Sequence, residues 1–281
     1  MTFIEHAQAH GLIIKDLISD GRWHRVPTTD KPRKRNGAYL FNGSRGVVKN
    51  WATMDDFSGW PQHGEKAENV DPLKLERIRN ENIRRTREQH TRVALVADHN
   101  VRTAKLEKHS YLSKKGFPNE LGLVKGEELI IPMRDFRTMK IMSLQRISSG
   151  GDKKFMTGGQ TKGAVHIIGK NSRNRGRILC EGYATGLSIR AALEYMRQPY
   201  EVWVCFSASN MVYVADKIGG NRFVIADNDA SGTGQKAAES IGLPWLMPTL
   251  VGQDFNDLHQ SEGLGACVKV LRGLFAVPMV N

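Results

Sequence analysis

Three acidic segments in the last third of the chain carry the residue types best able to do chemistry. They are Arg177-Ile178-Leu179-Cys180-Glu181-Gly182, Phe223-Val224-Ile225-Ala226-Asp227-Asn228-Asp229 and Gly252-Gln253-Asp254-Phe255-Asn256-Asp257. In the first two, a short apolar run ends in carboxylates and a small-residue turn. Such runs read as buried strands of a parallel sheet, and parallel sheets hold their ligands at the carboxyl ends of the strands. Glu181, Asp227 and Asp229 are therefore expected to converge on one edge. Crowded carboxylates repel one another unless a cation lies between them. All the donors are oxygens, so a hard divalent ion, most simply Mg²⁺, suits them.

The elements that must position these groups follow from the pattern around them. Strand signals at 177–181, 201–206, 222–227 and 244–247 alternate with helical stretches running to Met196, to about Ile218 and over 231–241. That is a βαβ series, hence a parallel sheet with helices packed on it. Asp-x-Asp at a strand end places both side chains on one side by the period-two rule. Gly182 and Gly186 are read as permitting close approach of a substrate. Asp227 and Asp229 can alternatively serve as turn formers, and Asp254 and Asp257 as helix N-caps.

The charge is uneven. Of 41 Lys and Arg and 29 Asp and Glu, only 8 and 10 lie from Arg177 onward, so the front part carries a net +14 and the rest −2. A basic front joined to an acidic cluster points to a polyanionic partner, usually nucleic acid. From Pro72 to Lys108 an Arg-studded helix is expected, with ion pairs such as Glu81–Arg85 and Glu88–Arg92. Strands are expected at 129–135, 140–147 and 165–169. Before these, residues 3–18 read as one or two short helices and 22–26, 38–41 and 47–51 as strands. Trp23, Tyr39, Phe41, Trp51 and Trp60 are candidates for a small core.

Cys180, Cys205 and Cys267 are widely separated, two of them in strand-like runs, as expected of core thiols in a reducing compartment. No apolar stretch approaches the roughly 20 residues that span a bilayer, and the start lacks a signal-peptide pattern. A cytoplasmic protein is expected, in a bacterial host cell if the resemblance described next holds.

Glu181-Gly182-Tyr183-Ala184-Thr185-Gly186, Asp227-Asn228-Asp229-Ala230-Ser231-Gly232 and Asp254-Phe255-Asn256-Asp257 resemble the Toprim primases of phages and plasmids. Ile131-Pro132-Met133-Arg134-Asp135, Leu144-Gln145-Arg146-Ile147 and Lys153-Lys154-Phe155 resemble their basic N-terminal subdomain. The resemblance covers about 110–260. It implies an α/β, multi-unit chain. A small zinc-ribbon-like unit would occupy 1–65 and a basic helical segment 66–109. A basic α+β primase subdomain would follow at 110–175, a Toprim catalytic domain at 176–260 and a C-terminal helix and tail at 261–281.

No Cys precedes Cys180, so a Cys-rich zinc site cannot form in the first unit, and His6 and His10 alone make a poor one. The resemblance implies short RNA primers made on single-stranded DNA from NTPs with Mg²⁺ or Mn²⁺. Glu181, Asp227 and Asp229 would be catalytic and metal-binding, joined by Asp254 and Asp257. Arg134, Arg146, Lys153, Lys154 and Lys170 would hold template or triphosphate. A Toprim nuclease and a non-catalytic nucleic-acid-binding replication protein are the alternatives. There is no Gly-x-x-x-x-Gly-Lys-Ser/Thr segment, so any helicase would be a separate partner.

Overall fold

A computed structural model describes residues 1–61, 72–169 and 176–276. The chain divides into two compact units, Met1–Glu88 and Gln89–Asn281.

In the first unit, Thr2 and Glu5 form a capping box that starts helix α1 (Phe3–Ala9). Gly11, at φ +75°, follows the end of that helix, and Leu12 bridges to Thr28. The expected helical stretch 3–18 is therefore helical only at its start. Strands β1 (Trp23–Val26), β2 (Gly37–Phe41), β3 (Gly46–Asn50) and β4 (Ser58–Trp60) form an antiparallel sheet in that order. Phe3 stacks on Phe41 at 4.5 Å, and with Tyr39, Val48 and Trp60 they make the core. Trp23 and Trp51 are not in it, being 49% and 47% exposed. Trp23 lies on edge strand β1 against Phe57, and the Arg25 guanidinium covers Trp51 at 4.0 Å.

Helix α2 (Pro72–Thr103) follows the Arg-rich pattern. Glu81 pairs with Arg85 as expected and also takes Arg84. Glu88, expected to pair with Arg92, is held by Arg84 at 2.7 Å. These solvent-exposed pairs each contribute little.

The second unit contains the C-terminal part of α2, β5 (Lys105–Glu107), α3 (Ser110–Lys114), β6 (Gly122–Lys125), β7 (Glu128–Asp135), β8 (Ile141–Ile147), β9 (Lys153–Phe155) and β10 (Ala164–Ile168). It continues with β11 (Arg177–Cys180), α4 (Tyr183–Tyr195), β12 (Glu201–Val204), α5 (Ala208–Lys217), β13 (Arg222–Ile225), α6 (Thr233–Ile241), β14 (Trp245–Leu246), α7 (Phe255–Glu262) and α8 (Leu264–Ala276). One ten-stranded sheet runs β14-β13-β11-β12-β10-β7-β6-β5, with β8 paired to β7 and β9 to β8. Strands β11 to β14 are parallel to their neighbours in that series. β10 is antiparallel to both β12 and β7, and so joins the parallel half to the basic antiparallel half.

Side-chain alternation splits the core between the two faces. Ile178 and Cys180 enter one cluster with Leu187, Phe255 and Leu271. Leu179 enters the other with Trp203, Met211 and Ala238. Helices α4, α7 and α8 thus cover one face, and α5 and α6 the other. The antiparallel half behaves likewise. Leu129, Ile131 and Ile147 join the first cluster, whereas Ile130 and Leu144 pack with Ala97 of α2.

Gly186 serves this packing rather than a substrate. A Cβ there would stand 2.8 Å from Val204 Cγ2 and 2.9 Å from Ile168 Cδ1. Gly186→Ala is therefore expected to destabilise the second unit by about 1–3 kcal/mol through overpacking. Thermal unfolding checks this; an unchanged melting temperature would contradict the close helix–sheet contact.

Candidate active site

The three acidic segments meet at the carboxyl edge of the parallel strands. Glu181 follows β11 directly, and Asp227 lies two residues beyond β13, the strand beside it. Backbone bonds lock these ends together. Cys205 N donates to Cys180 O at 2.8 Å, and Phe206 N donates to Glu181 O at 2.9 Å. Asn228 ties the second segment to the third: its N–H donates to Gln253 O at 3.0 Å, and its carbonyl accepts from Gly252 N at 2.6 Å. Its side chain donates to Pro248 O at 2.9 Å. A residue written between two aspartates is thus what holds Asp227 near Asp254.

Asp227 is the most perturbed carboxylate. Burial, then the charges of Glu181 and Asp254, push its pKa up to about 7, and Lys153 opposes them. Its Oδ1 is shielded from solvent and has no hydrogen-bond partner. Glu181 is also raised, chiefly by burial and also by Asp229, while the Ala208 N–H at the start of α5 stabilises its charge. Gly234 at the start of α6 sits against the Asp227 backbone, where a Cβ would lie 2.3 Å from Asp227 O.

Asp229 has a different environment. Its Oδ1 accepts from the Ser231 N–H at 2.9 Å, from the Ser231 hydroxyl and from Thr233 N at 3.3 Å; its Oδ2 accepts from Gly234 N at 2.9 Å. These bonds, led by Ser231, draw its pKa down to about 2. Asp229 therefore builds the turn that starts α6, yet its charge is still felt by Glu181 and Asp227. Asp254 and Asp257 form the capping box of α7. Asp254 Oδ1 accepts from Asn256 N and Asp257 N, and Asp257 Oδ2 accepts from Asp254 N at 3.1 Å. Asp254 acts on Asp227 electrostatically, whereas Asp257 lies 3.8 Å from Lys115.

The basic residues separate by strand register. Arg146 pairs with Lys154 across β8 and β9, and Ile147 pairs with Lys153. Paired residues share a face, so Lys153 lies with Ile147 on the face of the first core cluster. Lys154 and Arg146 lie on the opposite face, where Arg146 reaches Glu128 at 3.4 Å. Arg134 donates to Met139 O at 3.0 Å. Lys170 is outside the described residues. Phe155, Phe206 and the Ala208 N–H received no role in the sequence reading. Only the two-residue spacing of Lys153 and Phe155 on a strand signals any of them.

The oxygen-only donors and the orphaned Asp227 Oδ1 suit a hard divalent cation. Among the described residues, however, no group of three or more His, Cys, Asp or Glu side chains is drawn together closely enough to hold a metal.

The Toprim-domain family model matches residues 176–265. The mixed α/β arrangement, with its parallel strands flanked by helices, is consistent with that fold. A solved structure titled as the DnaG catalytic core is similar at 15% identity and a TM-score of 0.36, over 52% of each chain. The chain thus spans about half the length of that structure. All three cysteines are buried free thiols. No helix among the described residues is long and apolar enough to cross a membrane.

The raised Asp227 pKa carries a signed consequence. The folded protein keeps this proton between about pH 4 and 7, while the unfolded chain releases it. Stability from this group is therefore lost as pH rises through that window, by on the order of 4 kcal/mol in total. In EDTA, Asp227→Asn is expected to flatten that pH dependence and raise the melting temperature at pH 8. Melting curves from pH 4 to 8 check this; parallel curves for the two proteins would contradict the crowding of carboxylates.

Proposed function

We propose that the chain is a primase that joins ribonucleotides on a single-stranded DNA template, of the kind found in phage or plasmid replication. The observation that carries this reading is that the charge of Lys153 reaches Asp227. The basic antiparallel half and the acidic parallel half belong to one sheet, and Lys153 from the first lies in the field of the most perturbed carboxylate of the second. A cation facing a carboxylate cluster suits a substrate that brings both a metal and a polyphosphate.

The reaction joins a 3′-oxygen to an α-phosphorus and releases pyrophosphate. A divalent cation held by Glu181 and Asp227, with Asp254 or Asp229, would supply Lewis-acid stabilisation of charge at the α-phosphate and lower the pKa of the 3′-hydroxyl. If the cation is held by the aspartates alone, Glu181, its pKa raised chiefly by burial, would instead accept the hydroxyl proton. Asp229, fixed by the α6 turn, keeps its negative charge in place throughout. Lys153 offsets the triphosphate charge. Lys154 and Arg146, on the other face of β9 and β8, would meet the template backbone. A cytoplasmic setting and a separate helicase complete the proposal.

A Toprim nuclease would use the same carboxylates for hydrolysis, and one assay separates the two. The protein is incubated with single-stranded DNA, labelled NTPs and Mg²⁺ or Mn²⁺. Short ribonucleotide products are expected, reduced about 10²-fold or more in Glu181→Ala and Asp227→Ala. Salt-sensitive DNA binding is expected to persist in both variants. Shortened DNA without NTP incorporation would favour the nuclease, and full synthesis by Glu181→Ala would overturn the assignment.

A further inference from the structure

Strand β9 ends in an aromatic side chain. Phe155 is 40% exposed at the end of a three-residue strand whose side chains all face solvent. It pairs with Gln145, two positions along from the Ile147–Lys153 pair, so Phe155 and Lys153 share a face. About 7 Å of strand separates their Cα positions. Lys153 is the cation that acts on Asp227.

The ring that Phe155 meets belongs to Phe206, in an edge contact at 6.2 Å with the planes 82° apart. Phe206 is bonded through its N–H to the carbonyl of Glu181 at 2.9 Å. It also has φ +68°, a left-handed conformation that a bulky residue rarely adopts. The surroundings hold it there. The Asn210 side chain donates to Cys205 O at 2.7 Å and to Ala164 O at 2.8 Å, and accepts from Gly163 N at 2.7 Å. Ser207 caps α5 immediately afterwards. Backbone strain enforced in this way beside reactive groups is a mark of a working site. Here it turns an aromatic ring toward β9 beside the Glu181 carbonyl.

We propose that Phe155 and Phe206 form a stacking wall for a nucleobase, which positions a nucleotide with its phosphates toward Lys153 and the carboxylates. An exposed ring with a cation two residues away on the same face matches the base and phosphate of one nucleotide. Stacking on aromatic side chains accepts any base, as copying of a template requires. The inference rests on the nucleotidyl-transfer reading for the use made of the base, but base binding can be measured without synthesis.

Calorimetry in Mg²⁺ is the test, with ATP, inorganic tripolyphosphate and a short oligo-dT as ligands. The proteins are wild type, Phe155→Ala, Phe155→Leu and Phe155→Tyr. Wild type is expected to bind ATP about tenfold more tightly than tripolyphosphate. Phe155→Ala and Phe155→Leu lose that preference at unchanged tripolyphosphate affinity and melting temperature, and Phe155→Tyr keeps it. If the wall instead stacks a base of the strand, the same two variants lose oligo-dT affinity and leave the ATP preference intact, which also supports the wall. Unchanged ATP preference and unchanged oligo-dT affinity in Phe155→Ala would overturn the proposal, as would a wild type that does not discriminate ATP from tripolyphosphate and does not bind oligo-dT. Failure of the wild type to synthesise RNA would overturn the primase reading, whereas these affinities decide the stacking wall.

Discussion

Mutual repulsion among carboxylates at one sheet edge is the constraint on which the rest of this structure depends. Asp227 sits where burial and the charges of Glu181 and Asp254 all disfavour its ionised form. A cluster of this kind costs stability unless a cation offsets it. The fold holds the cluster together with backbone bonds at every approach: β12 to β11 through Cys205 and Phe206, and the second segment to the third through Asn228. Gly234, lacking a side chain, lets the start of α6 pack against the Asp227 backbone. Carboxylates kept close against their own repulsion indicate a site organised around a positively charged partner.

The cation has two sources in this arrangement. A divalent ion fits the oxygen donors and the orphaned Oδ1 of Asp227. Lys153, delivered by β9, fits the same field from the side of the basic half. The continuous sheet matters here. Strand β10, antiparallel to both β12 and β7, makes the two halves one surface.

Much of the parallel half was legible in the sequence, because its signals are local and redundant. Strand, glycine turn and helix recur with the spacing that βαβ connections require, and all four strands appear where the apolar runs stand. The short elements of the basic half were less legible. Strands β5, β6 and β9 are only three or four residues long, and β5 and β9 are mostly charged, so there is little periodicity to read. The first-unit tryptophans show the limit of composition. Trp23 and Trp51 look like core residues by type, but an edge strand and a neighbouring guanidinium keep them at the surface. The site was legible as a set of carboxylates but not as separate environments. Only the folded turn shows Asp229 satisfied by four donors while Asp227 is left short of partners. Only strand register shows that Lys153 and Lys154, adjacent in sequence, serve opposite faces.

We propose that Glu181 and Asp227 are held together to bind a divalent cation. Anomalous diffraction from crystals soaked in Mn²⁺ tests it most directly. A peak is expected about 2 Å from Asp227 Oδ1 and in contact with Glu181, absent from crystals of Asp227→Asn. An ordered Mn²⁺ bound elsewhere on the second unit, with Asp227 and Glu181 left without one, would contradict it.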